Sequence, residues 1–270
     1  LTHTISFGQE TISNGLGQET ASRVKTQPTI RIQTNILARR ERALLNWLCA
    51  RMPRFMTPDR LTALGVGGAG IVFAGYVGSR FNPAFFWLAT LGFFIHWFGD
   101  SLDGSLARFR RIERPRYGYF LDHTVDALCN LVILGGLGFS AYMRLDVALF
   151  VLIGYFLLCM YVFLYNHVSG SFQLSFLALG PTELRVGLIL INFWMYLSGP
   201  SKIAVLGQTF SAYDLVFCLV GVVFVSLFVV NTLKIAKRLR GEDACALESK
   251  TFIHTHDPYR SERNASALAK

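Results

Sequence analysis

The sequence predicts an all-α integral membrane protein: six transmembrane helices preceded by a cytoplasmic interfacial amphipathic helix. Three observations lead there. The 270-residue chain is 52% hydrophobic and only 16% charged, and its mean hydropathy of +0.40 lies outside the soluble globular range. Its apolar residues gather into windows of about 17 to 25 residues, the length a helix needs to cross a bilayer. Its arginines and lysines collect in alternate connections between those windows, as expected when basic segments stay cytoplasmic.

Taken in order, residues 1–35 begin "LTHTISFGQETISNGLGQET". They are polar and lack a charged n-region followed by an apolar core, so they read as a disordered or tag-derived lead. Residues 36–56 form a juxtamembrane segment. Within it Ile36, Leu37, Leu44, Leu45, Trp47 and Leu48 recur at helical spacing among arginines, the pattern of a helix lying on a lipid surface. "TPDRLT", from Thr57 to Thr62, starts the next helix, with Thr57 as cap and Pro58 in the first turn. Six spans follow within residues 57–240: Leu61 to Ser79, Pro83 to Gly99, Tyr119 to Met143, Val147 to Asn166, Arg185 to Leu197 with soft edges, and Tyr213 to Leu233. The second can continue helically to Arg108. "GVGGAG", at Gly65 to Gly70, matches a dinucleotide fingerprint by letters alone. No strand precedes it, and small residues inside a span serve close helix packing. Residues 241–270 are a cytoplasmic tail.

Basic residues stand before the first span (Arg39, Arg40, Arg42, Arg51, Arg54), between the second and third (Arg108, Arg110, Arg111, Arg114, Arg116), and after the sixth (Lys234, Lys237, Arg238, Arg240). The opposite loops offer only Arg80, Arg144 and Lys202. Both termini and the second connection are therefore expected to face the cytoplasm. The net charge of +9 points to anionic lipid headgroups, because the basic residues flank apolar runs. No nucleic-acid partner is expected. Five cysteines, three of them inside apolar runs, show neither a disulfide framework nor zinc spacing.

The chemistry lies in "DSLDGSLARFRRIERPRYGYFLDHTVD", residues 100–126. Asp100 and Asp103 are three residues apart and Asp122 and Asp126 four, so each pair projects from one face of its helix. The short basic loop between them makes the helices antiparallel neighbours, and four carboxylates converge. Ionised acids near a membrane cost about 2.5 to 3.5 kcal/mol each on insertion scales, so a positive partner is required. An internal network with Arg108 and its neighbours is one possibility. One or two hard divalent cations, Mg²⁺ or Mn²⁺ by the all-oxygen donor set, are the other. Magnesium keeps positions open for phosphate oxygens, which points to a pyrophosphate-containing substrate. Gly104 and Ala107 leave room for a ligand, and Arg108 one turn on offers a fork for phosphate.

Written out, the segment is Asp100-x2-Asp103-Gly104-x2-Ala107-Arg108-x9-Gly118-x3-Asp122-x3-Asp126. It resembles the signature of the CDP-alcohol phosphotransferases at all eight fixed positions. The resemblance implies six transmembrane helices, a homodimer, and an active site open to the cytoplasmic interface. It implies transfer of a substituted phosphate from a CDP-linked donor to an alcohol or lipid acceptor, releasing CMP, with Mg²⁺ or Mn²⁺ and two ions expected. Asp100, Asp103 and Asp122 would be metal ligands, and Asp126 would share in metal binding or act as base. Gly104, Ala107 and Arg108 would line the CDP site. "TPDRLT" resembles the family's first-helix start with Asp59 where Asn is usual; a first-turn acid favoured by the helix dipole explains Asp59 equally well. "DHTVD" is similar to the segment of eukaryotic choline and ethanolamine phosphotransferases in which the histidine is a candidate base, so His123 joins Asp126 as a candidate. "GPTELR" places Glu183 and Arg185 at the start of the fifth span, where Arg185 would contact headgroup or donor phosphate. His96 is expected to be a packed, hydrogen-bonded histidine. The expected location is a bacterial inner membrane.

The donor is either CDP-diacylglycerol with a water-soluble acceptor, or a soluble CDP-alcohol with a lipid acceptor. Two other functions compete. A membrane prenyltransferase also sets aspartates and Mg²⁺ on a pyrophosphate, but it needs two separated acid-rich loops. A divalent-cation transporter, the non-enzymatic reading, needs acids near the bilayer midplane on broken helices.

Overall fold

Seven helices and one short hairpin make up the computed structural model, which describes residues 38–169, 181–201, 203–205 and 208–255. The lead at 1–35 and the last part of the tail lie outside the described residues. Helix α1 (Ala38–Arg51) carries Glu41 in its first turn and Arg51 in its last, which complements the helix dipole at both ends. Thr57 then caps α2 (Pro58–Gly78): its hydroxyl accepts the Arg60 N–H at 3.3 Å, and Pro58 occupies the first turn, as the sequence predicts.

Helix α3 (Phe85–Phe109) runs unbroken through Asp100 and Asp103. It stops because Arg111 takes a left-handed conformation, φ 55°. There the Ile112 N–H bonds Ala107 O at 3.0 Å and the Arg111 N–H bonds Arg108 O at 3.1 Å, the paired closure of a Schellman end. The turn is short enough for Pro115 to begin α4 (Pro115–Gly138) at once. Helices α5 (Leu145–Ser169), α6 (Pro181–Ser198) and α7 (Ala212–Thr255) complete the helical set. Strands β1 (Ile203–Val205) and β2 (Gln208–Phe210) pair antiparallel, with Ile203 opposite Phe210. This hairpin is an addition to the all-α expectation; three residues per strand are too few to give a detectable alternation. It leads into a capping box at the start of α7: the Asp214 N–H donates to Ser211 Oγ at 3.0 Å, and the Ser211 N–H to Asp214 Oδ2 at 2.7 Å.

Each of the six predicted spans overlaps its own helix, α2 to α7; the third, Tyr119 to Met143, overruns α4, which ends at Gly138. Among the described residues, four stretches are long and apolar enough to cross a membrane: Pro58–Gly78, Pro115–Gly138, Leu145–Val168 and Ala212–Ala244. Helix α6 offers a shorter apolar stretch, Leu184–Ser198, and α3 carries two acids in its second half. The protein is thus a helical chain with at least these four candidate spans.

The α2–α3 crossing positions the site. A methyl group at Gly99 would sit 2.5 Å from Leu61 O, one at Gly68 would sit 2.8 Å from His96 Cα, and one at Gly92 would sit 2.7 Å from Val72 N. The two backbones touch, as in helix pairs that associate through small residues. Part of "GVGGAG" therefore does pack closely, whereas Gly67 and Gly70 face open space. Helix α4 packs on α2, α6 on α3, α7 on α5, and α1 on α3. Two clusters fill the interior. Cys49, Leu61, Leu102 and Leu106 join α1, α2 and α3, while Tyr76, Phe86, Phe93, Tyr142, Met195 and Tyr213 belong to the larger one. The buried Tyr76 hydroxyl donates to Asn192 Oδ1 at 2.9 Å, which satisfies both groups away from water.

Candidate active site

Three of the four predicted acids meet. Oxygen atoms of Asp100, on α3, and of Asp122 and Asp126, on α4, lie within 4.8 Å of one another. Spacing explains this: four residues on α4 place Asp122 and Asp126 one above the other, and the sharp α3–α4 turn brings that face to Asp100. All three carboxylates are half-buried. Asp103 is outside this group of mutually close oxygens but lines the same small cavity as Asp100 and Asp122. It is 8% exposed, its Oδ2 accepts the Thr62 hydroxyl at 2.7 Å, and its Oδ1 accepts the Gly104 N–H at 2.5 Å.

Arg185 enters from α6. Its Nη2 donates to Asp100 Oδ2 at 2.5 Å, and the pair is mostly shielded, 13% and 21% exposed. The same Nη2 lies 3.4 Å from His96 Nε2. His96 Nδ1 is 3.0 Å from Gly65 O; a carbonyl can only accept, so Nδ1 carries the proton and Nε2 is the acceptor for Arg185. The buried histidine expected from sequence thus has a second task, fixing the guanidinium that faces Asp100. Glu183, the acid predicted beside it, has its side chain outside the described residues.

The positive partner of Asp100 is thus Arg185 rather than Arg108. Arg108 is exposed, donates to Ser105 Oγ at 3.3 Å, and lies over Gly104. Arg114 pairs with Asp59. Arg110 spends its guanidinium on three backbone carbonyls of the α1–α2 connection, those of Met52, Pro53 and Met56, at 2.5 to 3.0 Å.

His123 projects beside the cluster. Its Nδ1 is 2.9 Å from Tyr119 O and 3.4 Å from Asp122 Oδ2. Its ring lies against Tyr119 and Phe163, with centroids 4.3 and 5.2 Å away. Ala107 is half-buried, and Gly118, the remaining fixed glycine, faces open space.

One space adjoins the acids, and a second lies between α1 and α3. A cavity of about 10 Å³ is lined by Thr62, Gly65, His96, Asp100, Asp103, Asp122 and Val125, enough for a single water-sized body. Further along α3 a cleft of about 350 Å³ is lined by Arg42, Leu45, Asn46, Ser105, Arg108 and Phe109. The donor set fits a hard divalent cation: three carboxylates, oxygen only, converging at ligand distance. Sequence reasoning left out Thr62, Gly65 and His96. Position 62 carried one usable signal, since a threonine one turn after Pro58 shares the first-turn face of α2.

Comparisons with known proteins agree on one family. The sequence model described as CDP-alcohol phosphatidyltransferase matches residues 55–230. The chain is similar to a phosphatidylinositol phosphate synthase of Streptomyces avermitilis, with 34% identity over 125 residues, 45% of this chain and 49% of that protein. The chain thus spans about half the length of the curated relative it matches.

Proposed function

We propose, from the premise that the chain belongs to the CDP-alcohol phosphatidyltransferase family, that it is a membrane transferase of phospholipid synthesis moving a substituted phosphate from a CDP-linked donor to a hydroxyl. The observation that carries this is the convergence of Asp100, on α3, with Asp122 and Asp126, on α4, the C-terminal half of α3 also bearing a cleft lined by Arg108 and Arg42. The relative's name describes a phosphatidyl group joined to an inositol phosphate. Carried to this chain, it favours CDP-diacylglycerol as donor and a phosphorylated polyol as water-soluble acceptor.

Asp100, Asp122 and Asp126 would hold Mg²⁺ or Mn²⁺, two ions in our reading, with Asp103 joining as a ligand. Bound there, the metal would neutralise the pyrophosphate oxygens and ease departure of CMP. The residues divide the remaining work. Arg108 and Arg42 offer donors to phosphate oxygens, and Gly104 and Ala107 let the nucleotide approach the α3 backbone. Arg185 holds Asp100 in place, while Thr62 holds Asp103. The acceptor oxygen bonds to the phosphorus that carries the lipid, the bond from that phosphorus to the CMP oxygen breaks, and the hydroxyl proton passes to a base. We assign that base to Asp126, which sits among the acids, whereas the His123 ring lies against Tyr119 and Phe163.

Six spans, with α1 lying on the lipid surface, both termini and the site cytoplasmic, and a homodimer complete the reading. The exposed Leu44 and Trp47 of α1, 45% and 52% accessible, support the surface placement. The test is CMP release by purified protein with Mg²⁺ across CDP-linked donors and alcohol acceptors. Release with CDP-diacylglycerol and an inositol phosphate supports the assignment; no release with any pair overturns it.

A further inference from the structure

Glu41 has no place in the motif, yet it touches both helices that meet at Asp100. Its Oε1 accepts the Trp97 indole N–H at 3.0 Å and the Thr182 hydroxyl at 2.7 Å. Trp97 lies on α3 three residues before Asp100, and Thr182 lies in the first turn of α6 three residues before Arg185. One carboxylate oxygen on α1 therefore ties α3 to α6 about a turn from the place where Arg185 reaches Asp100 at 2.5 Å. Among the elements in contact, α1 and α6 each pack on α3, so the tie closes a three-helix corner.

We infer that Glu41 is a positioning residue: it fixes the spacing of α3 and α6 at which Arg185 meets Asp100, and so couples the seating of α1 to the geometry of the acid cluster. The inference rests on the transferase reading of that cluster. Both bonds end on one acceptor oxygen, so the role needs an oxygen at that point rather than a negative charge. Glutamine supplies that oxygen at the same reach; alanine does not.

The experiment compares Glu41→Ala, Glu41→Gln and Thr182→Val in CMP release, and in the ¹⁹F spectrum of full-length protein labelled with 5-fluorotryptophan. The chain has four tryptophans, and Trp97→Phe assigns the line. We expect Glu41→Ala to lower kcat about tenfold or more with little change in KM for the CDP-linked donor, as small misplacements of reacting groups do. Thr182→Val should move kcat the same way, and Glu41→Gln should restore it to within about twofold, keeping both hydrogen bonds. The Trp97 line should shift in Glu41→Ala and return in Glu41→Gln. Glutamine as damaging as alanine, or an alanine variant with wild-type kcat, would overturn the inference. An unmoved Trp97 line in Glu41→Ala, with CMP still released by the wild type, also refutes the tie. A moved line with no CMP release by the wild type instead refutes the transferase reading and the role drawn from it.

Discussion

At the scale of single residues, the site separates acids that converge from groups that hold them. Asp103 is the clearest held acid, because a buried carboxylate keeps its place only through donors, here Thr62 and the Gly104 N–H. Thr62→Val keeps the shape and removes the donor. A lost hydrogen bond to a charged group is worth about 1.5 to 3 kcal/mol, so turnover should fall by about tenfold or more, while Thr62→Ser stays near wild type. Steady-state kinetics on the two variants checks this. His123 makes the opposite prediction. Its ring lies against Tyr119 and Phe163; on our assignment of the base to Asp126 it packs beside Asp122, and His123→Ala should keep turnover within a few-fold. A loss of about 10² to 10⁴, the usual contribution of a general base, would move that role from Asp126 to His123.

At the scale of elements, the α2–α3 crossing is the part of the fold on which the site depends. Gly68 and Gly99 meet the opposing backbone directly, so Gly68→Leu or Gly99→Leu must push the helices apart, at a cost of about 1 to 3 kcal/mol or more. Thr62 would then leave Asp103, and His96 would leave Gly65. Gly67→Ala and Gly70→Ala face open space and should be neutral or stabilising by about 0.5 to 1 kcal/mol, as alanine replaces glycine in a helix. Thermal unfolding in detergent, with activity measured on the same samples, distinguishes the two pairs. What the sequence revealed follows the same division. The acids were legible because each pair lies within one helix at a spacing that fixes its face, and the helix start at Thr57–Pro58 was legible for the same local reason. Thr62, His96 and Glu41 were not, because their partners lie 41, 31 and 141 positions away in Asp103, Gly65 and Thr182. Arg185 was expected at headgroup or donor phosphate rather than at Asp100 for a related reason: it arrives from a helix 85 residues on.

At the scale of the whole molecule, apolar helices gather three of their acids at one crossing of α3 and α4 rather than along a path. Among the described residues the clustered acids stand on continuous helices, α3 and α4, which disfavours a transporter built on broken spans. They also face one another across one helix pair joined by a single short turn, which disfavours a prenyltransferase with two acid-rich loops. The basic residues around that turn are partly committed to structure: Arg110 binds three carbonyls and Arg114 pairs with Asp59. Arg108 and Arg42 line the cleft, where we place the donor phosphates. Membership of the family was legible in eight positions over 27 residues, because the chemistry of metal and pyrophosphate demands those residue types at those spacings. The acceptor was not, since no residue outside the cluster announces a polyol or a lipid. The central claim is that the Asp100, Asp122 and Asp126 cluster drives CMP release. The most direct measurement is release of CMP from a CDP-linked donor by wild type, Asp100→Asn and Asp126→Asn, with Mg²⁺ and after chelation. The account predicts Mg²⁺-dependent release by wild type and none above background in either variant; full release by both variants, or release undiminished by chelation, would contradict it.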